Sequence, residues 1–420
     1  MEYLLLKGKQ QINGTIQING AKNAAVAILP AALLTRGTVE VDNLPKITDI
    51  DKIIQILQSL GAVVTSTGKR SVSIDSSRVN SFCPPPSIVN KFRASYYFMG
   101  SLLGRFSQVE IPLPGGCNLG PRPIDQHVKG FTALGAEVEL KHGIVKIKAR
   151  RLMGTHIYLD VVSVGATINI MLAAARAEGK TVIENAAREP EIVDVANFLN
   201  AMGAQVVGAG TDVIKIQGVP ELGQAEHSVI PDRIEAGTFM IAAAATRGEA
   251  LVADVIPKHL DSIIAKLKEV GNDVEVGPDW VRVKGNSRLS PADVKTFPYP
   301  GFPTDLQAPM IVLLTQAGGT SFVTENVFEE RFNHLCELRK MGAKIKLGGR
   351  TAIIEGGHEL SGAPVKALDL RGGAAFIIAG LISKGETRLE GVEHIDRGYE
   401  KIEERFKLLG VNIERRIQQK

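Results

Sequence analysis

The chain has 420 residues, 44% of them hydrophobic and 22% charged, ordinary proportions for a globular protein of two or three domains. A net charge of +4 carried by scattered lysines and arginines, with aromatics at 5%, argues against a nucleic-acid face. The three cysteines, Cys83, Cys117 and Cys336, are too few for a disulfide framework or a zinc site and suit a reducing cytoplasm; no apolar run reaches the roughly 18 residues that a membrane span needs, and the one in Tyr3–Lys7 is too short for a signal peptide.

Strands are predicted at Tyr3–Lys7 and Thr15–Ile18, ahead of a motif that recurs six times. It reads Leu60-Gly61-Ala-Val-Val64, Leu134-Gly135-Ala-Glu-Val138 and Met202-Gly203-Ala-Gln-Val206, then Val270-Gly271-Asn-Asp-Val274, Met341-Gly342-Ala-Lys-Ile345 and Leu409-Gly410-Val-Asn-Ile413. The glycines fall 68 to 74 residues apart, so the chain is six copies of one supersecondary unit. Each copy opens with an apolar helix: Ala24–Leu34, Ala94–Leu103, Ala166–Ala175, Thr238–Ala245, Ala308–Gln316 and Ala374–Ile382. A short strand follows, as in Thr38–Val41, Thr181–Glu184 and Thr387–Glu390. An amphipathic helix comes next and stops at the repeated glycine, a natural residue for a helix C-terminus. A hairpin closes the copy; Glu137–Leu140 and Val145–Lys148 alternate around His142-Gly143.

The apolar helices have no wet face and must be buried on all sides. The predicted fold class is therefore α/β, two inside-out domains, each of three βαβαββ-like units around central helices. Residues 20–229 form the first domain, and residues 1–19 with 230–420 the second, with the active-site cleft between them. The stretch Val219–Pro231 separates the third unit from the fourth, and the N-terminal strands complete the last sheet, whose unit keeps only one hairpin strand.

Polar residues gather at the starts of these helices: Lys22-Asn23, Arg93, Ser163-Val164-Gly165, Asp232-Arg233, Thr304-Asp305 and Asp369-Leu370-Arg371. If the helices run parallel their N-termini converge into an anion site that Lys22, Arg93 and Arg371 reinforce. Ser163, Thr304 and Asp369 also serve as plain N-caps. The turns before the second helices add Arg122, Arg331 and Arg397, whose forks suit phosphate or carboxylate. Pro112–Pro123 is a Pro/Gly-rich loop with Cys117 at its middle, near Arg122 and a helix start, surroundings that favour the thiolate.

Gly20-Ala-Lys-Asn-Ala24, Gly115-Gly-Cys-Asn-Leu-Gly-Pro-Arg-Pro123, Ser163-Val-Gly-Ala-Thr167, Phe302-Pro-Thr-Asp-Leu-Gln307, Asp369-Leu-Arg-Gly-Gly373 and Ile395-Asp-Arg-Gly-Tyr399 together resemble the enolpyruvyl transferases over the whole chain, most closely those acting on UDP-N-acetylglucosamine. The resemblance implies transfer of the enolpyruvyl group of phosphoenolpyruvate to the 3′-hydroxyl of that nucleotide sugar, releasing phosphate, in peptidoglycan precursor synthesis, with no cofactor or metal. It makes Cys117 the proton donor, a thiol that can form a covalent pyruvyl adduct and react with fosfomycin. It makes Asp305 the residue that takes the hydroxyl proton, and places Lys22, Arg122 and Arg397 on the substrate phosphate with Asn23 beside them. Arg331 and Arg371 then suit the carboxylate, with Asp369 at the same helix start. Arg93, Arg122, Pro123, Ile124, Asp125, Gln126, Ser163, Val164, Gly165, Asp305 and Val327 match the nucleotide-sugar pocket. Asp160-Val161-Val162 departs from many relatives, which carry a lysine two residues before the Ser163 position. The alternatives are the enolpyruvyl transferase acting on shikimate 3-phosphate, which lacks the cysteine-bearing loop, and a catalytically silent repeat protein that uses its cleft for binding.

Overall fold

The computed structural model describes residues 2–90, 92–113 and 123–417. The chain divides into two compact units, one within residues 20–230 and the other joining the segment before residue 20 to the segment after residue 230. Each has its own hydrophobic cluster, and the two clusters share no residue.

The apolar helices are the reason each unit is built as it is. Lys22–Ala31, Tyr97–Phe106 and Val164–Ala174 lie in the first unit, Arg233–Ala245, Gln307–Leu314 and Leu370–Ile382 in the second. In Gln307–Leu314 all eight residues are buried. A helix without a polar face loses roughly 1.5–3 kcal/mol for each large apolar side chain left in water, so it takes the centre and the sheets take the outside. Close packing fixes the pairs. A Cβ on Gly100 would come within 2.4 Å of the Asn169 carbonyl oxygen, and Asn169 Oδ1 accepts from the Gly100 N–H at 2.8 Å. The inside-out α/β architecture expected from the repeat is the one observed: among the described residues there are five four-stranded sheets and one three-stranded sheet.

The six repeated glycines all have positive φ, from 82° to 104°. At the first, the Gly61 N–H donates to Gln58 O and the Ala62 N–H to Leu57 O, both at 3.0 Å, a Schellman ending that only a left-handed residue completes. The Glu137–Lys141 and Ile144–Lys148 strands pair around His142 and Gly143, both at positive φ as a two-residue hairpin turn requires.

Two strands differ from expectation. Glu2–Lys7 does complete the last sheet, antiparallel to both Glu386–Glu390 and Ile413–Ile417. Asn13–Gln17 does not join it; a turn through Gly8 and Lys9, the latter at φ 53°, redirects the chain, and the strand pairs in parallel with Glu249–Ala253. The Val219–Pro231 stretch is more than a separator: Ala225–Ser228 is a strand parallel to Thr38–Asp42. In three other copies the strand entering a buried helix pairs in parallel with the strand leaving it, as His156–Tyr158 does with Lys180–Glu184. At the two points where the chain passes between units these entering strands are exchanged. Among the described residues no helix is long and apolar enough to cross a membrane.

Candidate active site

In the unit that ends the chain, three buried helices bring their N-terminal ends together. Asp232 caps one, accepting from Ile234 N at 2.8 Å and Glu235 N at 3.0 Å; Asp369 caps another, accepting from Arg371 N at 2.8 Å and Gly372 N at 2.9 Å. The third start is a 3₁₀ turn, Thr304–Leu306, which sets Asp305 between two arginines. Arg331 Nη2 donates to Asp305 Oδ1 at 2.7 Å; Arg371 donates to Oδ2 from Nη2 at 2.9 Å and from Nε at 3.2 Å. Both guanidiniums are buried, while the Asp305 side chain keeps 22% of its surface exposed. Burial alone would raise the Asp305 carboxyl, but Arg371 and Arg331, with a smaller effect of Arg233, outweigh it and hold the group well below the usual carboxylate range. Arg371 also lies over the Tyr399 ring, 5.3 Å from its centroid, and Tyr399 Oη is 2.8 Å from Thr238 Oγ1. Arg397 stands two residues before Tyr399, just past the short Val392–Ile395 helix.

Thr304 is not the N-cap that its position suggested. Its hydroxyl donates to Glu325 Oε2 at 2.8 Å and accepts from Arg331 Nη1 at 3.0 Å, and the N-cap position falls to Pro303, whose helix end has no side-chain cap.

In the first unit, Lys22 opens its buried helix and its ammonium lies 2.9 Å from Asp49 Oδ2, both side chains being buried; Asn23 follows it. Lys52 approaches the other Asp49 oxygen at 3.7 Å. Arg93 lies over Tyr96, 5.8 Å from the ring centroid, and Tyr96 meets His127 edge-on at 5.2 Å. Gly165 sits against both: a Cβ there would lie 2.9 Å from Tyr96 Oη and 3.0 Å from His127 Nε2. Burial, reinforced by Arg93 and opposed by Asp125, lowers the His127 pKa to about 3, so the imidazole is neutral at physiological pH. Ser163 caps the Val164–Ala174 helix through the Ala166 N–H at 3.3 Å. Gln126 bridges Asp125 Oδ2 at 2.8 Å and Asp160, whose N–H it accepts at 3.0 Å. Lys129 stands 2.6 Å from Asp160 Oδ1.

The structure thus gathers Asp305, Arg331 and Arg371 around one point in one unit, and Arg93, Ser163, Gly165, Asp125 and Gln126 around another in its own unit. Cys117 and Arg122 lie outside the described residues, while Pro123 and Ile124 lead into the Asp125–Ala133 helix. The Val327 N–H is held by Glu325 Oε1 at 2.8 Å. Sequence reasoning missed Asp49, Tyr96, His127 and Glu325. A polar side chain that burial makes chemically distinctive leaves no mark in spacing, although Asp49, three residues before Lys52, carries the helical period of its surroundings.

The profile of the EPSP synthase (3-phosphoshikimate 1-carboxyvinyltransferase) family matches residues 6–406. The chain is 56% identical to UDP-N-acetylglucosamine 1-carboxyvinyltransferase 3 of Caldanaerobacter subterraneus subsp. tengcongensis over 98% of this chain and 99% of that protein. It is 55% identical to UDP-N-acetylglucosamine 1-carboxyvinyltransferase of Clostridium botulinum, over 99% of this chain and 100% of that one. Among solved structures, the enolpyruvyl transferase NikO from Streptomyces tendae matches with a TM-score of 0.90 at 24% identity, over 99% of this chain and 98% of the other, a likeness of fold. With its helix starts, its repeat and relatives matched end to end, the chain belongs to the UDP-N-acetylglucosamine 1-carboxyvinyltransferase family, within the larger group of EPSP synthase type.

Proposed function

We propose that this protein transfers the enolpyruvyl group of phosphoenolpyruvate to the 3′-hydroxyl of UDP-N-acetylglucosamine, releasing phosphate, as a step in cytoplasmic synthesis of peptidoglycan precursors. The observation that carries this reading is the Asp305 carboxylate clamped between the buried Arg331 and Arg371 guanidiniums. Two fixed forks beside a carboxylate form a site for a second, incoming carboxylate, with the proton acceptor already next to it.

In the addition step, the Cys117 thiol gives a proton to the methylene carbon, the sugar hydroxyl oxygen bonds to the adjacent enolpyruvyl carbon, and Asp305 takes the hydroxyl proton. In the elimination step the new methyl group gives a proton back to the Cys117 thiolate, the C–O bond to phosphate breaks with the Asp305 proton going to the leaving phosphate, and the double bond is restored. Lys22, Arg122 and Arg397 hold the phosphate, and Asn23 accompanies Lys22. Arg93, Pro123 to Gln126, Ser163 to Gly165 and Val327 receive the nucleotide sugar.

Doubly bonded to guanidiniums, Asp305 is a weak base, because hydrogen bonds to its ionised form lower its proton affinity. The mechanism therefore needs a guanidinium to let go. Arg371 Nη1, buried on the side of the guanidinium that faces Tyr399, is the one nitrogen of that fork not bonded to Asp305 and is the donor offered to the substrate carboxylate. A substrate carboxylate that takes Nη1 and Nη2 together draws Nη2 away from Asp305 Oδ2 and frees that oxygen to accept the proton, so substrate binding itself switches the base on.

The test is phosphate release from phosphoenolpyruvate with UDP-N-acetylglucosamine or shikimate 3-phosphate as acceptor, with the product identified by mass. Release only with the nucleotide sugar supports the reading. Release only with shikimate 3-phosphate replaces it, and silence with both acceptors leaves a binding protein.

A further inference from the structure

Glu325 follows the Thr320–Thr324 strand and is completely buried. Among the described residues it makes no ion pair; four hydrogen bonds compensate its charge. Oε1 accepts from Thr296 Oγ1 at 2.8 Å, Val327 N at 2.8 Å and Phe328 N at 3.1 Å, and Oε2 accepts from Thr304 Oγ1 at 2.8 Å. A buried carboxylate without a cation is costly to keep, and a chain that needed only a filled space would place an apolar side chain there.

We propose that Glu325 is a positioning residue for the reaction: through Thr304 it aims Arg331 at Asp305, and through Thr296 it shapes the Val327 turn that faces the nucleotide sugar. The inference rests on the function proposed above.

The direction of every bond follows from Glu325 being an acceptor alone when ionised. The Thr304 hydroxyl must donate to Oε2, which leaves its lone pair to Arg331 Nη1 at 3.0 Å. Arg331 then has its other fork nitrogen for Asp305 Oδ1 at 2.7 Å. Carboxylate, hydroxyl, guanidinium and carboxylate thus form one polarised chain with one allowed sense. The second arm works in the same way. The Thr296 hydroxyl donates to Oε1 and accepts the Asn326 N–H at 2.9 Å. The N–H groups of Asn326, Val327 and Phe328 are then all tied to Glu325, one through Thr296 and two directly. This arm returns to the same arginine, because the Phe328 ring lies 5.2 Å from the Arg331 guanidinium. Arg331 is held by Thr304, by Asp305 and by Phe328, and Glu325 governs the first and the third.

Two isosteric variants separate the arms. Thr304→Val removes the hydroxyl that orients Arg331. The expected result is a fall in kcat and a rise in the KM for phosphoenolpyruvate, together roughly ten- to hundredfold, because a hydrogen bond to a charged group is lost. The KM for UDP-N-acetylglucosamine should stay within about twofold. Thr304→Ser, which keeps the hydroxyl, should recover most of the loss. Thr296→Val releases the Asn326 N–H and should raise the KM for the nucleotide sugar with little change in kcat. Glu325→Gln should show both effects, and adding Thr304→Val to it should lower kcat no further, as the two act in one relay. Threonine variants whose losses are equal for both substrates and track their thermal stability would overturn the proposal and leave Glu325 as a plain structural group. These variants carry the test even if Glu325→Gln does not fold. Should the unaltered protein release no phosphate with either acceptor, both the function and this inference fall; an active protein with unsplit variants sinks the inference alone.

Discussion

Asp305 is asked to neutralise two arginines and to accept a proton, and Asp305→Asn separates these jobs. The amide has the same shape and keeps an oxygen for one guanidinium, but it cannot take a proton. Loss of a general base costs about 10²–10⁴-fold in rate. The internal counter-ion of Arg331 and Arg371 is also lost, so the incoming carboxylate should be held at least as well as before. Expected, then, is a kcat lower by that factor with a KM for phosphoenolpyruvate unchanged or reduced, read from initial rates of phosphate release. A raised KM with kcat intact would make Asp305 a binding residue only. At this scale the sequence was informative where chemistry sits at a helix start. The caps Ser163 and Asp369 were legible because capping is local, and Asp305 and Arg371 because they stand at the same kind of helix start. Thr304 was misjudged as a cap and His127 passed over, because Glu325 and Tyr96, which decide what those two side chains do, come from 21 and 31 residues away.

Among the elements, the Arg233–Ala245 helix carries a polar group in its first turn that apolar burial alone would not permit. Glu235 accepts the Asn19 N–H at 2.9 Å and pairs with Arg405 at 3.2 Å. Burial pushes its carboxyl up to about 7, with Arg405 opposing and Asp232 adding to the rise. A folded pKa above the unfolded value of 4.5 means the folded state holds the proton more tightly. The stability this group contributes is complete below pH 4.5 and is lost as pH rises through about 7, on the order of 3 kcal/mol in all. Glu235→Gln removes that titration. Urea unfolding at pH 5 and pH 8 should show the unaltered protein losing more stability across the interval than the variant; equal losses would mean Glu235 is ionised throughout. The long helices and the His142-Gly143 hairpin were legible from period and turn chemistry, which the tertiary structure only reinforces. Ala225–Ser228 was not, since a short polar strand at a sheet edge has neither alternation nor apolar content, and its partner Thr38–Asp42 lies far back in the chain.

At the scale of the whole molecule, the sixfold repeat made the architecture readable, because six weak signals at one spacing add up where one would not. It could not show which sheet each N-terminal strand would join: Glu2–Lys7 and Asn13–Gln17 follow each other closely in the chain and go to different sheets. That placement predicts the effect of a small deletion. Glu2–Lys7 is central in its sheet, hydrogen-bonded on both sides, and its Leu4 and Leu6 are fully buried in the cluster of the chain-ending unit. Removing residues 1–9 strips two neighbouring strands of a partner and empties two leucine sites. Emptying a leucine site costs about 2–5 kcal/mol, and two approach the whole stability of a typical domain, about 5–15 kcal/mol. The cluster within residues 20–230 contains no side chain from that segment. The truncated protein should therefore lose one of two unfolding transitions in calorimetry and retain the other, with protease cutting confined to residues beyond 230. A single transition that shifts as a whole, with cuts spread over both units, would show instead that the two cores fold as one.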